Sequence, residues 1–383
     1  MRSLTLLFVL LTLGGCSSAV DTVKGWMGSA SNEPQPAELA DFNQTAKFTE
    51  RWHADLGDPG ANPLQPALTR DAVYGVSGDG VVTRLDRATG RQVWRIESNI
   101  LVSAGVGAGD GLVLLGSDKG EVLAFGEDGK LRWKHTVSSE VLGVPKVSDG
   151  IVVVRSGDGN IVGLSVAAGK TLWTFEQSTP ALVVRSHASI TIRHGVAYAG
   201  FAGGKLVAIK VSDGTMLWES TVSQPRGNTE LERISDVTSN PVVSDDQVCA
   251  IAFQGNLACY ELSQGNALWS RPISSEKGLD IMRKYIYLSD AKSVVMALDK
   301  DSGSTVWKNE KLLLRKVTAP YATDNFVVVG DYQGYLHALS HDDGRIVARI
   351  QLDDSAIQTP PVEMDDGLLV QTSSGTVYSL SIK

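Results

Sequence analysis

Residues Gly78-Asp79-Gly80-Val81-Val82-Thr83-Arg84-Leu85-Asp86-Arg87-Ala88-Thr89-Gly90-Arg91-Gln92-Val93-Trp94 spell strand, turn and strand, and their reading decides the fold. Val81, Thr83 and Leu85 alternate with Val82, Arg84 and Asp86, the two-residue period of a strand with two distinct faces. A Thr-Gly turn follows, where glycine tolerates the positive φ of a tight hairpin. A short strand then ends on tryptophan.

The same sentence recurs along the chain. It runs from Gly120 to Trp133, from Gly159 to Trp173, from Gly204 to Trp218 and from Gly255 to Trp269. A sixth copy has Ser293 in place of the opening glycine and ends on Trp307. A seventh starts at Gly334 but has Ala348 where tryptophan is due. An eighth starts at Gly375 and lacks its last strand. A matching strand lies at the other end of the chain, Phe48-Thr49-Glu50-Arg51-Trp52. The spacing of about 40 residues suits a four-stranded propeller blade. The expected fold is therefore all-β: an eight-bladed propeller of four-stranded blades, closed by the N-terminal strand, which removes the open edge of an incomplete array. Small residues at Ala124, Ala208, Ala297 and Ala338 are expected to let adjacent sheets approach.

Composition agrees with one closed array. The 383 residues include 39 glycines, as a chain of many turns requires, and no long amphipathic helical pattern. A net charge of −8 without a basic run argues against nucleic acid. No apolar stretch of about 20 residues follows the N-terminus, so no ordinary membrane-spanning helix is indicated.

The N-terminus reads as a targeting segment. Arg2 precedes an apolar run from Leu4 to Leu13, too short to cross a bilayer and typical of a signal peptide. Residues 1–15 are assigned to it. They end Leu13-Gly14-Gly15-Cys16, which resembles the lipobox of bacterial lipoproteins; the resemblance implies acylation of Cys16. Ser17, in place of the aspartate of inner-membrane retention, points to the outer membrane. Residues 16–45 are read as a lipidated tether and residues 46–383 as the propeller.

Cys249 and Cys259 flank a turn at Phe253-Gln254-Gly255-Asn256. A two-residue loop would pair Cys249 with Tyr260 and point the cysteines opposite ways. On that register two buried free thiols are expected, although the bridge is permitted in the periplasm.

Motifs for chemistry fail in detail. Gly105-Val106-Gly107-Ala108-Gly109 is followed by Asp110 and by no helix, so it is not a dinucleotide loop. Asp299-Lys300-Asp301-Ser302-Gly303 places glycine one position early for a calcium loop. The six histidines are scattered. The repeat Ala-Leu-Asp…Thr-Gly…Trp resembles the blades of quinoprotein alcohol dehydrogenases, and the alternative it implies is a periplasmic oxidoreductase using pyrroloquinoline quinone. Those enzymes carry a vicinal cysteine pair over the cofactor, and no two cysteines are adjacent here.

Between Trp173 and Trp269 the repeat is stretched by two insertions, 177–186 and 224–241. Insertions in an array fall in loops, and loops carry function. Both lie before the first strand of a blade, in adjacent blades, so they are expected to meet on one rim. With the lipobox, tether and eight repeats, the segment Thr229-Glu230-Leu231-Glu232-Arg233-Ile234-Ser235-Asp236-Val237 resembles the propeller lipoproteins of the bacterial β-barrel assembly machinery. The resemblance implies a scaffold without catalysis or cofactor. It implies binding of the periplasmic POTRA domains of the barrel subunit, BamA, with contacts at Leu182, Val184, Arg185 and Asp236. Thr238 stands where members often have a second acid. Strand packing is the competing explanation for Leu182 and Val184, and a mutual or turn-stabilising ion pair for Arg185 and Asp236.

Overall fold

A computed structural model describes residues 34–365 and 367–383. The expected signal peptide, Cys16 and the tether up to residue 33 lie outside the described residues. From Pro36 to Lys383 the chain forms one compact unit. Among the described residues there is no helix, and eight antiparallel sheets of four strands each make an eight-bladed propeller. Blades 1 to 7 are continuous in sequence, at 67–97, 104–136, 146–175, 191–221, 242–271, 279–309 and 321–351. Within each, the strands lie side by side in chain order. The first strands form the inner ring: Ala67–Leu68 packs against Ala104–Gly109, which packs against Lys146–Ser148. Blade 8 joins Val362–Met364, Gly367–Gln371 and Thr376–Ile382 to the N-terminal strand Phe48–Asp55. Phe48 pairs with Ile382 and Asp55 with Thr376, so the ring closes as expected.

Strand alternation explains the core. A blade buries both faces, so its middle strands are apolar throughout, as Leu112–Gly116 is. The buried residues form eight clusters, each shared by two neighbouring blades. One unites Leu114, Val122 and Ala124 of blade 2 with Val152, Val154 and Leu164 of blade 3.

Tryptophan locks each blade to the next. Trp173, on the outermost strand of blade 3, donates its Nε1–H to Val211 O of blade 4 at 2.8 Å. Its ring lies on the turn glycine Gly214, where a Cβ would come within 2.7 Å of the indole and φ is +73°. Trp94, Trp133, Trp218, Trp269 and Trp307 donate in the same way to the next blade's turn, at 2.7–3.0 Å. Directly across the sheet from Trp133, Trp218 and Trp307 stand Ala124, Ala208 and Ala297. Opposite Trp173 even alanine is too large: a Cβ on Gly163 would come within 2.2 Å of the indole.

Ala348 marks the seam. The third and fourth strands of blade 8 come from opposite ends of the chain, so no Thr-Gly turn exists there for an indole to cover. Residues 45–48 occupy the place instead. Thr45 and Ala46 donate their amides to Val347 O at 3.0 and 3.1 Å, and Ala46 and Phe48 join the cluster containing Val347 and Ala348. Ahead of them the chain lies on blades 6 and 7. Ala37 N–H bonds to Leu313 O at 2.9 Å, and Arg315 Nη1 donates to Ala37 O at 3.0 Å. Arg349 donates to Ala40 O at 3.2 Å and sits over the Phe42 ring at 4.9 Å. Asp331 is fully buried behind them and accepts bonds from Arg315 Nε and His337 Nε2, at 2.7 and 3.0 Å.

The cysteine expectation is corrected. Cys249 and Cys259 form a disulfide. Their connection is a three-residue turn, closed by Ala252 N–H to Asn256 O at 2.9 Å, with Gln254 at φ +51°. The extra residue moves the register by one. Cys249 therefore faces Cys259 directly, with Cα atoms 4.1 Å apart, and both side chains enter the same layer.

Candidate functional site: the loop face over blades 3 to 5

The two insertions are the connections 176–190 and 222–241, each running from the outermost strand of one blade to the innermost of the next. They meet, as the repeat spacing led us to expect. Asp236, 3 % exposed, is the joint. Its Oδ2 accepts the Val184 amide at 2.7 Å, and its Oδ1 accepts the Gly203 amide at 2.9 Å. Its own carbonyl accepts the Phe253 amide at 2.8 Å. The carboxylate thus ties the second insertion to the first and to one blade turn, and the backbone carbonyl of the same residue holds a second turn. Charge-assisted bonds of this kind are about twice as strong as neutral ones.

Arg185 does not pair with Asp236. It reaches Glu140, in the connection before blade 3, with Nη2 to Oε2 at 3.0 Å and Nε to the same oxygen at 3.3 Å. Leu182 is 41 % exposed, whereas Val184 is half-buried, so the two residues differ in environment despite their even spacing. The second insertion is ordered by a reciprocal exchange like that which caps helix starts. The Glu232 carboxylate accepts the amides of Asn228 and Thr229, at 2.8 and 3.1 Å, and Thr229 Oγ1 accepts the Glu232 amide at 3.3 Å. Those backbone bonds hold the Glu232 carboxyl below its ordinary range. The turn leaves Leu231 68 % exposed.

A cavity of about 160 Å³ lies beneath the insertions, with Glu140, Arg155, Val184, Arg185, Phe201 and Asp236 in its wall. A second depression, about 360 Å³, lies beside Asp79, Leu101 and Asp118, among mostly exposed turn residues of blades 1 and 2. Glu140 and Arg155 are missing from the sequence reading. Glu140 occupies an ordinary connection that no motif marks. Arg155 carried a signal that was there to be seen, a cation ending the otherwise apolar strand Ile151–Arg155.

The residues do not fit a quinone-and-calcium site. The two cysteines are 10 apart in sequence and bridged across a hairpin rather than adjacent. Among the described residues no group of three or more His, Cys, Asp or Glu side chains converges to hold a metal.

These features define a closed propeller of the tryptophan-locked repeat type, with one elaborated loop face. The family model described as outer membrane protein assembly factor BamB matches residues 78–309. The chain is 40 % identical over 385 residues to outer membrane protein assembly factor BamB of Nitrosomonas eutropha, covering 99 % of this chain and 94 % of that one. It belongs to the BamB family, assembly factors of the outer membrane rather than enzymes. Among solved structures, BamB from Moraxella catarrhalis superposes with a TM-score of 0.80 at 24 % identity, over 87 % of this chain and 99 % of that one. A quinohemoprotein alcohol dehydrogenase from Comamonas testosteroni shares the fold alone, with a TM-score of 0.72 at 13 % identity, over 89 % of this chain and 78 % of that one.

Proposed function

We propose that this chain is a scaffold of the outer-membrane β-barrel assembly complex. It is anchored by an acylated Cys16 on the periplasmic face of the outer membrane, and its loop face binds the POTRA domains of BamA. The observation that carries this reading is the joining of the two insertions by Asp236, which leaves Leu182 and Arg185 displayed on a fixed backbone. Arginine is among the residues that most often dominate protein interfaces, and an apolar neighbour on a rigid support can serve as an anchor beside it. The ring also assists unfolded barrel precursors through its outer edge. There Val93, Leu131, Leu172, Leu217, Leu268 and Val306 are exposed on the outermost strands, each of which has one unpaired side.

Arg185→Ala tests the docking face. The ion pair with Glu140 is 56 % exposed on the arginine side, and surface pairs contribute about 0–1 kcal/mol, so the fold should survive. Recovery of BamA with the variant from solubilised membranes should fall several-fold. Recovery equal to wild type would remove Arg185 from the interface.

A further inference from the structure

Arg155 is a half-buried cation that forms no direct ion pair among the described residues. Guanidinium offers five N–H donors. Among the described residues, its guanidinium makes one hydrogen bond, a long one from Nη1 to Ala188 O at 3.4 Å, and it lies over the Phe201 ring at 5.1 Å. Both carboxylates in the cavity are engaged elsewhere. Glu140 holds Arg185, and each Asp236 oxygen holds a backbone amide. Burial pulls the Arg155 pKa down to about 10, with the field of Asp236 resisting, so the group stays charged at neutral pH. A half-buried cation held by one long hydrogen bond and by a carboxylate that does not pair with it adds little to the stability of the free protein. Arg155 lines the cavity of about 160 Å³.

We propose that Arg155 is an anion-recognition residue, and that an aspartate or glutamate side chain of the docked partner enters this cavity to take its free N–H groups. The inference rests on the reading that BamA docks on this face. The flat arginine fork matches a carboxylate. The volume equals several waters at about 30 Å³ each, enough for an acidic side chain. Glu140 and Asp236 stand in the same wall and oppose any anion, so a carboxylate of charge −1, offset by Arg155 and Arg185, is opposed less than a phosphate, which carries about −1.5 to −2.

Full-length protein in detergent is titrated with purified BamA by calorimetry, and its thermal unfolding is followed separately. Arg155→Met should weaken binding at least about tenfold while the unfolding midpoint of the free protein stays equal or rises. Arg155→Lys should keep part of the affinity, because the charge remains and the fork is lost. Leu182→Asp serves as the control for the face itself. If Leu182→Asp abolishes binding and Arg155→Met binds within twofold of wild type, the partner docks here but no acidic side chain meets Arg155, and the proposal is overturned. If both variants bind normally, the docking reading fails and the proposal with it. A midpoint several degrees lower for Arg155→Met would make the cation structural and equally overturn the proposal.

Discussion

The indole of Trp173 both fills an inter-blade layer and closes a hydrogen bond to the next blade, which is why its replacement is expensive. Trp173→Ala should cost about 3–5 kcal/mol, read from the denaturant midpoint. Trp52 is the informative contrast. It covers Gly90 as Trp173 covers Gly214, but its Nε1 is buried without an acceptor. Trp173→Phe should therefore cost about 1 kcal/mol more than Trp52→Phe, the net value of one hydrogen bond. Equal costs would show that the donor contributes nothing and that packing alone holds the blades. The tryptophans were legible from spacing, because each must recur with the blade, whereas the placing of Ala124, Ala208 and Ala297 directly opposite three of them was not. Ala348 was visible only as an exception. Its reason, the absence of a turn to cover, exists only in the closed ring.

Blade 5 and blade 7 carry element-level constraints that no repeat announces. In blade 5 the disulfide closes a loop with a sequence separation of 10. Replacing both Cys249 and Cys259 by alanine should cost about 2–3 kcal/mol, on the loop-entropy account, measured by equilibrium unfolding. Its register turned on one residue of turn length, which spacing could not resolve. In blade 7, His337 is wholly enclosed and its Nδ1 accepts from Arg349 Nε at 3.2 Å while Nε2–H faces Asp331. Burial holds this imidazole below its ordinary pKa, and His187 and His341 likewise. The unfolded chain takes these protons as pH falls through about 6.5, and the folded chain does so only lower, so stability is lost downward from about 6.5. Asp280 works the other way. Burial raises its pKa to about 6, so its protonation on acidification favours the folded state. His337→Gln should therefore show a smaller loss of unfolding midpoint than wild type between pH 7.5 and 6. An unchanged slope would exclude His337 as a contributor.

At the scale of the whole molecule, stability depends on a ring that only two distant segments can close. A chain beginning at Leu56 would leave Thr376–Ile382 as a bare edge. It should elute as aggregate on size exclusion and lose its cooperative calorimetric transition. Deleting only residues 36–42 keeps the closing strand, so that variant should remain monomeric with a lower midpoint. Aggregation of both would place the weak point in the docked segment rather than at the seam. The loop face is likewise a property of the assembled ring, since Asp236 reaches Val184 only because blades 4 and 5 are neighbours.

By itself the sequence determined the blade, the number of blades, the ring closure and the two insertions, because each is written as periodicity or as a break in it. Tertiary structure alone decided which carboxylate each cation meets. Arg185 takes Glu140, Asp236 takes two amides, and Arg155 is left with an open cavity. Those partners come from different blades, far apart in the chain, and an ion pair obeys distance in space rather than any period along the sequence.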